Sequence, residues 1–359
     1  MYYPIIKNEL NEIKAVKEVN SSLSYTPIIE LVSSKTDDLD NFFNSLFDST
    51  KQNSICSILK DQEVYIDIPS YLENEIINNF NLKSGSEKYN FFEKLNEIAI
   101  EKEYKQIVPV ISFDYFYDTQ RKSNKENIEF FKKITNKFNK FAIRIYSNNI
   151  FKNNDNLLLW QLYDFMPDIM NNAIFIMDID NSTIDYAKDT IKEINSEFDI
   201  NKIIFAGEVL KNTPRIKTDF SYDRLSNKHL DNFNILKKSL DSLNLDIEYA
   251  DFTLTDKIPS KIDIDPDKGF LYYPFIKYTT EDGKICMFSA GEKGKYEQYL
   301  DLCKNIIKEI RTFDILHCKA CDFINDVANG NKNNFKAGAT WKYRMIAHHI
   351  TSMSHIFSK

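Results

Sequence analysis

The feature that most constrains this chain is an alternation. Over the first 256 residues, short apolar runs rich in β-branched and aromatic residues are separated by longer amphipathic stretches. That order predicts parallel strands joined by crossover helices. The strand candidates are Tyr3–Lys7, Thr26–Leu31, Glu63–Ile68, Gln106–Ser112, Phe141–Ser147, Ala173–Asp180, Lys202–Glu208 and Ile247–Thr253, eight in all. Between them, Leu39, Phe42, Phe43, Leu46 and Phe47 fall on one helical face, with Thr36 or Asp37 placed to cap it. Ile184, Ala187, Ile191 and Ile194 mark a second stripe, and Leu230, Phe233, Leu236, Leu240 and Leu243 a third. Eight such units over roughly 250 residues match a TIM-barrel-like (β/α)8 domain at residues 1–256. An open doubly wound sheet is the rival, because strand count does not show whether a sheet closes.

After Asp256 the texture changes, and six of the eight glycines fall in the last quarter. Tyr272–Thr280 and Lys284–Ala290 predict a hairpin turning at Glu281-Asp282-Gly283, followed by helices near Tyr296–Ile310, Phe313–Ala328 and Thr340–Phe357. Residues 257–359 are therefore expected as a β-hairpin and helical extension packed on the barrel. No flexible Gly/Ser linker separates the two parts.

Composition excludes several classes. At 43% hydrophobic residues, 8 glycines and 9 prolines in 359, the chain can bury a core and is neither disordered nor fibrous. A net charge of -7 supplies no broad positive field, so nucleic acid is not indicated as a partner. No apolar run is long enough for a membrane helix, and Met1-Tyr2-Tyr3-Pro4 lacks a signal-like core, so a cytoplasmic protein is expected. Five cysteines without a secretory context argue against a disulfide framework. Gly-x-Gly-x-x-Gly and the P-loop pattern are both absent from the sequence.

The chemistry sits at strand ends. Lys7, Glu30, Asp67, Asp114, Arg144, Asp178 with Asp180, Glu208 and Asp251 each lie within or close to the end of an apolar run. In a closed parallel barrel these ends converge on one mouth, where active sites form. Glu30, Asp67, Asp178 and Glu208 are the leading catalytic candidates, as carboxylates for acid/base work or for a divalent metal. Lys7 and Arg144 are suited to an anionic group, and Asp251 joins them as a ligand-binding candidate. The plainer alternative is that strand-end acids cap helices and pair with Lys7 and Arg144 as a structural network.

His317-Cys318-Lys319-Ala320-Cys321 holds one C-x-x-C. Zinc would need Cys303, His348 or His349 to complete it, whereas reduced cysteines packed on a helix are the simpler expectation. In the last helix His349 falls close to the apolar stripe and is expected as a core histidine. His348 shares another face with Arg344, Ser352 and His355 and is the ligand-binding candidate there. Gly291-Glu292-Lys293-Gly294-Lys295 reads as a turn.

The opening YYPIIKNELNEIKAV, the TPIIEL that follows and the closing GATWKYRMIAHHI resemble the Beta family of proteins of satellite phages and bacterial genome islands. The resemblance implies a barrel-like fold and a place in anti-phage defence, beside a toxic partner encoded by a neighbouring gene. It carries no assigned catalytic residues. The expectation is a regulator or sensor of such a partner, or of a phage-derived ligand. The alternative is a metal-dependent phosphodiesterase or nuclease built on the strand-end carboxylates.

Overall fold

The computed structural model describes residues 1–358 except 52–53, 56–57, 59, 61, 70–74, 83–84, 106, 113–128, 130–131, 147–172, 179–183, 199, 211–220, 259–271 and 333. Asp114, Asp180 and Cys56 lie outside the described residues. Eight parallel strands close into a barrel: β1 (Tyr2–Lys7), β2 (Ile28–Glu30), β3 (Val64–Asp67), β4 (Ile107–Ser112), β5 (Ala142–Tyr146), β6 (Ile174–Asp178), β7 (Lys202–Gly207) and β9 (Asp246–Asp251). All eight coincide with the runs expected from sequence. Closure is made by β1 against β9, where Tyr3 pairs with Ala250 and Pro4 with Asp251.

Each strand is apolar on both faces because both are covered. Odd and even positions pack in different places. Tyr3, Ile5, Ile28, Val108, Ile176 and Phe252 fill the interior, while Tyr2, Ile6, Ile29, Ile66 and Tyr249 join the larger cluster under the helices. The helix at Leu39–Phe47 shows the local logic. Asp38, rather than Thr36 or Asp37, caps it by accepting from the Asn41 N–H, and Phe42, Phe43, Leu46 and Phe47 are all buried.

β8 (Ser221–Leu225) is absent from the barrel. It pairs antiparallel with β11 (Ile285–Ser289), which pairs with β10 (Phe275–Thr279), so the expected hairpin is a three-stranded sheet. That sheet shares a core with the helices at Tyr299–Glu309 and Lys319–Ala328. The C-terminal helix, Gly338–Phe357, serves both parts of the molecule. Trp341 belongs to the small core, and Tyr343, Ile346, Ala347, Ile350 and Met353 belong to the barrel's. Its end stacks Phe357 on Tyr249 (4.9 Å) and Tyr2 (6.2 Å), across the β1–β9 seam. It thus covers the seam as the outer helix that follows the eighth barrel strand, with the small sheet inserted ahead of it in sequence.

Beside that seam, Gly207 ends β7 under His229. A Cβ there would lie 2.6 Å from Nδ1 of the buried imidazole. The ring has no room to yield, since it stacks on Phe205 at 5.0 Å and its Nε2–H donates to the Ala250 carbonyl at 2.8 Å. Gly207→Ala is expected to cost about 1–3 kcal/mol, the range for overpacking a filled core. Urea denaturation measures it, and an unchanged midpoint would contradict the assigned packing.

Candidate functional site

The C-terminal ends of the barrel strands carry a buried ionic cluster centred on Arg144. Interior positions alternate along each strand, so Lys7, Glu30, Asp67, Arg144 and Asp178 continue the inward-facing rows past the apolar layer. Arg144 Nη1 donates to Glu30 Oε1 at 2.7 Å and to Asp67 Oδ2 at 2.5 Å, and Nη2 donates to Asp178 Oδ2 at 2.7 Å. All four side chains are at most 1% exposed. Lys257, from the segment after β9, donates through Nζ to Asp178 Oδ1 at 2.7 Å and through its backbone N–H to Glu208 Oε1 at 2.9 Å. Lys7 Nζ donates to the Asp256 carbonyl at 3.0 Å. Phe252 stands among the three cations, 5.7 Å from Lys7 Nζ, 5.6 Å from the Arg144 guanidinium and 5.5 Å from Lys257 Nζ.

Placement pushes the two aspartates apart. Burial drives the Asp67 carboxyl up to about 7 even though Arg144 opposes the rise, and its Oδ1 has no hydrogen-bond partner among the described residues. Asp178 is equally buried, yet Lys257 and Arg144 together outweigh desolvation and hold it below the usual carboxylate range. One carboxyl near neutrality beside one held ionised is the pattern that permits proton transfer. Among Glu30, Asp67 and Asp178, however, the position open to a shared cation is taken by a guanidinium.

Of the residues expected at the mouth, Lys7, Glu30, Asp67, Arg144, Asp178 and Glu208 do assemble there. Asp251 does not. Its neighbours Ala250 and Phe252 face the interior, so Asp251 points outward, accepting from the Tyr2 hydroxyl at 2.8 Å, the Thr253 N–H at 2.8 Å and His349 Nε2 at 3.1 Å. His349 is the core histidine expected, with Nδ1 2.8 Å from the Thr279 hydroxyl. His348 also lies away from the mouth, against Cys318 and Cys321. Lys257 escaped the sequence reading because it sits in an irregular segment where periodicity has nothing to say.

The cysteine segment differs from the expected continuous helix. The helix begins at Lys319, and Cys318 is its extended N-cap, whose sulfur accepts from the Cys321 N–H at 3.4 Å. Phe313 therefore precedes the helix. The hydrogen bond shared with Cys321 lowers the Cys318 thiol and raises that of Cys321. A cavity of about 820 Å³ borders this segment, bounded by Glu18, Asn20, Tyr25, Gln62, His317 and Cys318 among others.

A family model described as Beta protein matches residues 2–355. No curated protein and no solved structure matches the chain. Among the described residues, no helix is long and apolar enough to cross a membrane.

Proposed function

The chain belongs to the Beta protein family, and from that premise we propose that it works in anti-phage defence as a regulator or sensor, its barrel mouth recognising a partner protein from a neighbouring gene or a phage-derived ligand. The observation that carries this reading is the engagement of three strand-end acids by Arg144. Glu30, Asp67 and Asp178 each spend an oxygen on one buried guanidinium, an arrangement suited to holding shape rather than to coordinating a catalytic metal. Lys257 is the more accessible cation, with 21% of its side chain exposed, and it bridges Asp178 and Glu208. An anionic group on a ligand or partner would compete with Asp178 for it, so occupancy of the mouth would be felt by the network beneath.

Purification of the full chain together with the products of adjacent genes tests the proposal. A stable complex is expected, weakened at least about tenfold by Lys257→Glu, since a buried charge contact at an interface is worth more than about 1.4 kcal/mol. A chain that binds nothing from its own locus, yet turns over a phosphodiester with a divalent metal, would replace this reading with the hydrolase. The one observation on that side is the near-neutral Asp67 carboxyl. Asp67→Asn should then abolish turnover while the protein remains folded, and full phage protection by that variant would eliminate the hydrolase.

A further inference from the structure

We infer that Cys318, Cys321 and His348 form a binding site for a soft divalent cation, zinc in the first instance, separate from the barrel mouth and independent of the function proposed for it. The three ligand atoms already stand where a tetrahedral ion needs them. The sulfurs are 3.6 Å apart, and His348 Nδ1 is 3.4 Å from Cys318 Sγ and 3.5 Å from Cys321 Sγ. With Zn–S near 2.3 Å and Zn–N near 2.0–2.1 Å, tetrahedral angles place sulfurs about 3.8 Å apart and sulfur and nitrogen about 3.6 Å apart. The triangle fits to within a few tenths of an ångström, so binding would require almost no rearrangement.

The surroundings orient the ligands. His348 Nε2 lies 2.8 Å from the Thr279 carbonyl, which only accepts, so Nε2 carries a proton and Nδ1 is the nitrogen turned to the sulfurs, where a metal would take its lone pair. A carbonyl partner on the remote nitrogen is the usual support of a metal-bound imidazole. Tyr278 packs its ring 4.1 Å from that of His348 and brings its hydroxyl to 3.8 Å from Cys321 Sγ. The Cys321 N–H donates to Cys318 Sγ at 3.4 Å, a contact that favours a thiolate there. The residues come from three elements: the N-terminus of the helix Lys319–Ala328, the middle of the C-terminal helix and, through Thr279, β10. An ion would pin them together. One further light-atom ligand completes four-coordination, and His317, whose ring centre is 5.4 Å from that of His348, lines a cavity together with it.

The competing use of a C-x-x-C is reversible disulfide formation, and the experiment separates the two. The reduced full-length protein, stripped with chelator and titrated with Zn²⁺ and separately with Co²⁺, is expected to bind one ion per chain. The cobalt form should show thiolate-to-metal charge transfer and the visible bands of a tetrahedral centre, and X-ray absorption of the zinc form should find two sulfur scatterers. Cys318→Ser and Cys321→Ser should each weaken binding by more than about 100-fold, beyond the loss typical of removing a supporting outer partner. If a variant fails to fold, alkylation of the wild type decides. Zinc should protect Cys318 and Cys321 from modification, and chelator should restore their reactivity. Sub-stoichiometric metal, a cobalt spectrum without sulfur ligation, or a Cys318–Cys321 disulfide recovered in place of bound metal would each overturn the inference.

Discussion

Replacing Arg144 with methionine is expected to cost about 3–5 kcal/mol of folding stability, the loss seen when one partner of a buried ion pair is deleted and its counter-charges remain behind. Arg144 is fully buried and is shared by Glu30, Asp67 and Asp178, so its removal takes the shared guanidinium from three neighbouring carboxyls, of which Asp178 keeps its pair with Lys257. The acids can respond only by taking up protons or by admitting water. Arg144→Lys keeps the charge but has no planar fork to serve three oxygens at 2.5–2.7 Å, and an intermediate loss is expected. Chemical denaturation of the full chain reads both values. A methionine variant as stable as the wild type would mean that water already reaches these acids.

The second large effect is a pH dependence traceable to Asp67. Burial lifts this carboxyl to about 7, well above its ordinary value near 3.9, so the folded chain holds a proton that the unfolded chain releases. With more protons bound in the folded state, stability falls as pH rises through this window and levels off above it. In Asp67→Asn the contribution vanishes. The difference in stability between wild type and variant should therefore slope between about pH 4 and pH 7, by up to roughly 1.4 kcal/mol per pH unit. Titrating groups remote from this cluster cancel in the difference. Parallel curves over that interval would show that Asp67 is ionised throughout and that Arg144 dominates its environment.

Much of this architecture was legible in the residues. The eight barrel strands stand out because parallel strands covered on both faces must be continuously apolar, and the acids that close them violate that rule conspicuously. The parity of a strand is harder to read. A one-residue difference separates the interior row of Ala250 and Phe252 from Asp251, and strand ends read from composition are not accurate to one residue. Ser221–Leu225 escaped because SYDRL shows no run of apolar residues; its place in the small sheet is set by its partner Ile285–Ser289. The cysteine spacing was visible, but His348 lies 27 positions beyond Cys321, and only packing of the C-terminal helix brings it to the sulfurs.

That same helix bears on how the molecule is made. Residues 338–357 cover the join between the first and last barrel strands, where Phe357 stacks against Tyr2 and Tyr249. During synthesis the first barrel strand must therefore wait, its side of this join uncovered, until the segment lying more than three hundred positions downstream has left the ribosome. Nascent chains halted before residue 338 should keep this seam sticky and exposed, open to chaperones or to the wrong neighbour.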